Sequence, residues 1–347
     1  MKLFKQITLI LIIFLKTGNL LSENNLFNVN NILLEKKENT SSKQLANKAI
    51  KKGFNQLIER ILLKEDFQKV SSISFSEIRD LVMYYNISKN TENEKNKINF
   101  SVTFDKDKIH NLFYTKGISY SDITDKEFYV LPILIKGNEI FIFSNNFFYE
   151  NWNNFEKKEE LIEFILPLEN IEIIKNINKS KNNFLDLDLD YLFKEYSNKN
   201  TALVLLDDTN LSEKKVYLKA IIQNKNISRS FLFKKKNLDQ ISFNEKIILE
   251  LKDEIINLVK SRNLIDIRTP SFLNVKLNLD KNNNLVLLNS RIESIDLIEN
   301  IFVQEFNKDY VNLKIKYLGK LEKIINQLKN ESIDLRLIND QWYIKTL

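Results

Sequence analysis

Phe128-Tyr129-Val130-Leu131-Pro132-Ile133-Leu134-Ile135 is the stretch that decides the fold. Eight residues run without a charge, and the run is too short for a buried helix. An unbroken apolar strand of this length belongs to a sheet covered on both faces. Ile140-Phe141-Ile142-Phe143 reads as its hairpin partner. Further along, Leu161 to Leu166 and Ala202 to Leu206 are two more buried strands, separated by a helix around Leu189 to Tyr196. Tyr217 to Ile222 and Ser230 to Phe233 form a hairpin. Ile247, Ile248, Leu251, Ile255, Leu258 and Val259 make one face of a closing helix. Strands alternating with helices predict an α/β layered domain over residues 124–264.

Working outward, residues 26–118 predict a smaller α+β domain. Val29 to Leu34 is a short strand, and Thr40-Ser41-Ser42 offers a cap for a long helix. Leu45, Ala49, Gly53, Leu57 and Ile61 form one row of that helix, and the small Ala49 and Gly53 point to a strand lying close against it. A second helix is expected over Phe75 to Tyr84. Ile98, Phe100, Val102 and Phe104 alternate with polar residues as a half-buried strand. Asp105 caps the next helix and Gly117 ends it. Residues 269–347 read as strand, helix, strand, strand, helix, strand, with a last strand carrying Trp342 and Ile344. That order is the split, ferredoxin-like βαββαβ pattern. The fold class is therefore α/β and α+β, with several small mixed domains in series. A chain of 347 residues is long enough for two or three cores.

The amino-terminal residues predict a compartment. Lys2 and Lys5 precede the apolar run Ile7 to Leu15, and Lys16 stops it. Nine helical residues span about 13–14 Å, short of the roughly 30 Å of a bilayer core. This is the geometry of an export signal over residues 1–22 and not of a permanent span. The mature chain is expected to be periplasmic, with peripheral membrane contact open to it. The chain has no cysteine, which removes disulfides and thiolate chemistry and suits a bacterial envelope.

Composition narrows function further. The 52 basic and 46 acidic residues leave a net charge of +6, but they are interleaved along the chain. A nucleic-acid partner is not expected from that pattern. Lys234-Lys235-Lys236, the densest basic run, reads either as a solvated strand end or as an anionic contact. His110 is the only histidine, so paired-histidine metal sites are excluded. Asp186, Asp188 and Asp190 alternate with leucines. They read as a helix start, or on a strand as a ligand row for a hard cation. Asp207-Asp208 follows an apolar strand, where turns are common and ligand residues also gather. Glu159, Glu160 and Glu169 have no evident acid–base partner. There is no glycine-rich phosphate loop, nucleophile elbow or H-E-x-x-H motif. No catalytic residues, metal or cofactor are assigned. Phe147, Phe148, Tyr149 and Trp152 form an aromatic cluster that is either core or a docking surface.

Three stretches carry a resemblance. They are Leu45-Ala46-x-x-Ala49 with Leu57-Ile58-x-Arg60-Ile61-Leu62, then Phe100-x-Val102-x-Phe104-Asp105 with Leu112 to Ile118, and Tyr317-x-Gly319-x-Leu321 with Leu335, Leu337 and Trp342. Together they resemble the exported proteobacterial domain-of-unknown-function family numbered 2066. Val130-Leu131-Pro132-Ile133 is similar to the opening strand of the TolB amino-terminal domain, and the first region is similar to the amino-terminal domain of a flagellar assembly protein. The resemblance implies a periplasmic, multi-domain, non-enzymatic protein. The leading expectation is a non-catalytic envelope interaction or assembly factor with a protein partner, docking through an open sheet edge or the aromatic segment. The alternative is a small-ligand or cation-binding protein, or a hydrolase, using the acidic residues of the central domain. A third course, anionic lipid or peptidoglycan bound through lysines, requires a basic patch on one face.

Overall fold

A helix that starts at a serine and packs a glycine against a strand sets the first layer. In the computed structural model, which describes residues 26–35, 40–89, 97–123, 125–155, 161–180, 187–210, 212–280 and 283–347, the first strand is β1 (Asn28–Glu35) and the long helix is α1 (Ser42–Ile61). Ser41 accepts from the Gln44 amide at 3.3 Å and its own amide donates to Gln44 Oε1 at 3.1 Å, closing a capping box. Gly53 sits on the buried face. A Cβ there would lie 2.9 Å from Ile32 Cδ1 and 3.5 Å from Val102, so the bare Cα is what lets the helix approach the sheet.

Two short helices follow, α2 (Phe67–Ser71) and α3 (Phe75–Asp80). The expected extension of the second helix to Tyr84 does not occur. The chain turns at Leu81 into β2 (Val82–Lys89), whose β-branched and aromatic residues pair antiparallel with β3 (Lys97–Phe104). The sheet order is β1-β3-β2. Asp105 caps α4 (Lys106–Lys116) through the Asp107 and Lys108 amides, and Gly117 closes it in the left-handed region at φ 61°.

The short strand β4 (Tyr120–Ser121) leads on to the central stretch. Its elements are β5 (Glu127–Lys136), β6 (Glu139–Phe141), α5 (Phe147–Asn151), β7 (Glu163–Ile165), α6 (Ile171–Lys179), α7 (Leu189–Leu192), β8 (Asn200–Asp207), β9 (Glu213–Ile222), β10 (Lys225–Lys234), α8 (Gln240–Arg262) and β11 (Leu264–Ile265). The sheet order is β10-β9-β8-β5-β6, with β7 also on β5, and β5 runs parallel to both β8 and β7. Both faces are covered. Val130, Leu134, Val204 and Leu206 pack with Ile247 and Leu251 of α8. Leu131, Ile133, Leu203 and Leu205 pack with Ile173 and Ile177 of α6.

Proline in a central strand normally removes a ladder hydrogen bond. On its second side, β5 is paired by β7 at Glu127–Tyr129 and by β6 at Leu134–Lys136, so residues 130–133 face a gap. The Pro132 carbonyl points into that gap and accepts from Asn146 Nδ2 at 2.9 Å. A residue's N–H and C=O leave a strand on the same side, so the missing N–H of Pro132 costs no pairing.

The last stretch runs β12 (Ser271–Asn278), α9 (Leu285–Ile292), β13 (Ile298–Phe306), β14 (Tyr310–Tyr317), α10 (Leu321–Asn330), β15 (Ile333–Ile338) and β16 (Gln341–Thr346). The first six follow the expected βαββαβ order along the chain, but the sheet is not the ferredoxin-like one, because β15 does not pair with β12 as its fourth strand would and β16 takes that place. The sheet order is β13-β14-β12-β16-β15, with the added strand β16 parallel to β12 and antiparallel to β15.

By backbone packing the chain divides into two units, the described residues of Met1–Tyr120 with Ile265–Leu347, and those of Ser121–Leu264. The first unit is built from both outer stretches. Leu57, Phe113 and Tyr120 belong to one continuous apolar core with Leu277, Leu313 and Leu328. No helix among the described residues is long and apolar enough to cross a membrane. The predicted export signal lies outside the described residues.

Candidate docking surface

The aromatic segment is a piece of core. Asn146, fully buried, caps α5 by accepting from the Phe148 and Tyr149 amides at 3.1 and 3.3 Å. Its amide group donates to the carbonyls of Pro132, Phe141 and Ile142 at 2.8–3.0 Å. This one side chain ties the helix to two strands and turns the aromatic rings inward. Phe148 and Trp152 are 0% exposed. Phe147 stacks on Phe155, and the Tyr149 hydroxyl donates to the Pro167 carbonyl at 2.8 Å. Phe148 and Trp152 have no surface left for a partner, and Phe147 and Tyr149 are half-buried against the core, so the four do not present one exposed aromatic docking surface.

Of the acidic residues, Asp188, Asp207 and Asp208 have local tasks. Asp186, Glu159 and Glu160 lie outside the described residues. Asp188 caps α7 by accepting from the Asp190 amide at 2.9 Å, and Asp190 is exposed. Asp207 accepts from the amide and hydroxyl of Thr209, a local turn. Asp208 pairs with Lys214. Glu169 is exposed. Among the described residues no group of three or more His, Asp or Glu side chains is placed to hold a metal ion.

Lys214 is the unexpected member of this end of the sheet. It lies on β9 at 1% exposure, with its ammonium 5.9 Å from the Phe243 ring centroid. Burial first, and then the positive charges of Lys136 and Lys235, push it down to about 8, against a pull upward from Asp207. The group is perturbed but enclosed, a charge held by Asp208 with no open face for a substrate. His110 is likewise buried. Its Nε2 lies 3.1 Å from the Tyr120 hydroxyl, its ring stacks on Tyr120 and Phe27 meets it edge-on. Burial, then Lys106, push His110 down to about 4, so it is neutral at ordinary pH.

The surface that sequence reasoning missed is β2. It is an edge strand, and every described residue from Met83 to Ser88 is exposed. Met83 is 68% exposed, Tyr84 51%, Tyr85 43% and Ile87 51%. Tyr85 and Ile87 stand opposite the buried Val102 and Phe100. They therefore lie on the face that α1 covers elsewhere, while α1 itself packs on β1 and β3. The sheet is one strand wider than its helix. An open depression of about 340 Å³ results, lined by Ile50, Arg79, Val82, Met83, Tyr84 and Tyr85.

No family model, curated protein or solved structure matches this chain.

The reading of this surface therefore comes from its own chemistry. A long apolar edge strand is a template for pairing, and soluble proteins usually blunt it with charge, proline or a bulge. In β2 the only irregularity lies at its start, between Val82 and Tyr84. The run Val82-Met83-Tyr84-Tyr85-Asn86-Ile87 carried the signal. It is rich in β-branched and aromatic residues and follows, after Leu81, the short helix that the Ser74–Glu77 capping box starts.

Proposed function

We propose that this chain is a non-catalytic interaction protein of the bacterial envelope that docks a partner protein along the free edge of β2. The observation that carries the reading is the run of exposed apolar side chains from Met83 to Ile87 beside an open depression. The partner supplies an extended segment with apolar side chains at alternate positions. Its backbone adds to the free N–H and C=O row of β2, and one side chain enters the space between Ile50 and Tyr85.

The compartment rests on Lys2, Lys5 and the run Ile7 to Leu15. A fusion to alkaline phosphatase, active only after export, tests it. The docking edge is tested by a photocrosslinking residue at Met83 in living cells, with Val286, 79% exposed, as the control position. A discrete adduct is expected at Met83 only, and Ile87→Lys is expected to abolish it. Equal adducts at both positions, or an adduct indifferent to Ile87→Lys, refute the edge.

A further inference from the structure

We propose that the face of the five-stranded sheet β13-β14-β12-β16-β15 that points away from its apolar core, half-exposed at its centre among the described residues, binds an anionic phospholipid surface. The sheet is two-sided. Leu273, Val275 and Leu277 of β12, with Val311, Leu313 and Ile315 of β14, are buried. The residues between them face away from that core. On β12 these include Phe272 and Lys276, and on β14 they include Lys314 and Lys316. On the neighbouring strands Phe302 stands opposite Lys314, Tyr343 opposite Lys276, and Arg336 opposite Tyr343. Lys345 follows two residues after Tyr343 on the same side. Strand pairing thus gathers Lys276, Lys314, Lys316, Arg336 and Lys345 on one face together with fewer carboxylates, Glu305 opposite Asn312, Asp334 opposite Lys345 and Glu299 paired with Lys316, so that the face carries an excess of positive charge.

Two of these cations are seated on aromatic rings and not in ion pairs, although Glu305 accepts from the Tyr310 hydroxyl beside Lys276. Lys314 Nζ lies 4.4 Å from the Phe272 ring centroid and Lys276 Nζ lies 3.8 Å from that of Tyr310. Among the described residues neither makes an ion pair, and nor does Lys345. Lys316 and Arg336 are paired, with Glu299 and Asp334. An ammonium fixed over a ring and outside an ion pair keeps hydrogen-bonding capacity for an external anion.

The geometry favours lipid phosphate over a nucleic-acid strand. Single strands are gripped by stacking bases on bare ring faces. Here the protein's own lysines lie over the Phe272 and Tyr310 rings. Large apolar side chains also stand on the same face at its two edges, Phe302 at 44% and Ile338 at 50% exposure. Lysines between exposed apolar groups suit the layer where phosphates overlie acyl chains. This surface is distinct from β2, and the inference does not depend on the docking reading.

The test is co-sedimentation of the full chain with phosphatidylcholine vesicles that contain or lack phosphatidylglycerol. Binding is expected only with the anionic lipid and is expected to fall with added salt. Each lysine near such a surface is worth about five-fold in partitioning, so K276Q/K314Q/K345Q together are expected to weaken binding by about 100-fold at low ionic strength. A control triple, K43Q/K48Q/K51Q, removes the same charge from exposed positions of α1. It is expected to keep most of the affinity. Circular dichroism of both triples establishes that they are folded. No binding to phosphatidylglycerol, or equal losses in the two triples, overturns the proposal. So does tighter binding to a single-stranded oligonucleotide that the face triple alone abolishes, which assigns the face to nucleic acid.

Discussion

Replacing Gly53 with Ala adds one methyl group where α1 meets the sheet, and two opposed effects decide the outcome. Alanine in place of glycine inside a helix is worth about 1 kcal/mol in favour of folding. Against it, the new Cβ lies 2.9 Å from Ile32 Cδ1, inside van der Waals contact, while Val102 at 3.5 Å is an ordinary neighbour. Ile32 is fully buried, so its end methyl has little room to swing away. Overpacking of this kind costs about 1–3 kcal/mol, which makes Gly53→Ala destabilising by about 0–2 kcal/mol. The clash belongs to one atom. Ile32→Val deletes that atom and alone costs about 1 kcal/mol. In the Ile32→Val background, Gly53→Ala is therefore expected to stabilise by about 1 kcal/mol. Urea unfolding of the four proteins measures the cycle. Trp342, in the same packing unit, serves as fluorescent reporter once Trp152 is changed to Phe. If Gly53→Ala has the same effect in both backgrounds, within about 0.5 kcal/mol, the close approach of helix and sheet is not what glycine serves there.

Asn146→Ala removes a cap and three carbonyl partners at once. It is expected to cost about 2–4 kcal/mol, read as a lower Tm of the chain. Lys214→Ala strands the Asp208 carboxylate and is expected to cost about 3 kcal/mol, whereas Lys214→Met with Asp208→Asn recovers most of that in urea midpoints. His110 titrates near 6.5 when unfolded but at about 4 when folded, among Lys106, Asp107, Glu299 and Tyr120. The unfolded chain thus binds the extra proton between these values. Stability attributable to this residue falls as pH drops from about 6.5 to 4, by up to about 3 kcal/mol, and then levels off. The difference in stability between wild type and His110→Phe, measured across that range, is expected to carry this slope, and a flat difference refutes it.

What the sequence disclosed follows the range of the interactions involved. The Ser41 cap, the Asp105 cap and Gly117 are contacts within a few residues, and all three stand as read. The apolar run of β5 announced two covered faces because burial on both sides leaves no room for polar alternation. The strand β2 was missed because Phe75 to Tyr84 keeps helical apolar spacing past the point where pairing with β3 takes over. The helix α6 went unread because its isoleucines favour strands when judged locally. For Phe147 to Trp152, composition admits both core and surface, and only Asn146, bonded to Pro132 fourteen residues away, settles the direction of the rings. The basic sheet face was invisible for the same reason. Lys276, Lys314 and Arg336 become neighbours only through strand register.

The first unit is assembled from residues that are made far apart in time. Synthesis runs from the amino end, so Leu57, Phe113 and Tyr120 emerge well before Leu277, Leu313 and Leu328, with which they share a core. At about 5–20 residues per second, the growing polypeptide carries that half-finished apolar surface for roughly ten seconds or more. Meanwhile the whole stretch Ser121–Leu264 is produced and has all the residues of its own sheet to hand. The order of maturation is therefore inverted. The middle of the polypeptide can reach its final form first, and its leading third needs shelter until the trailing end arrives.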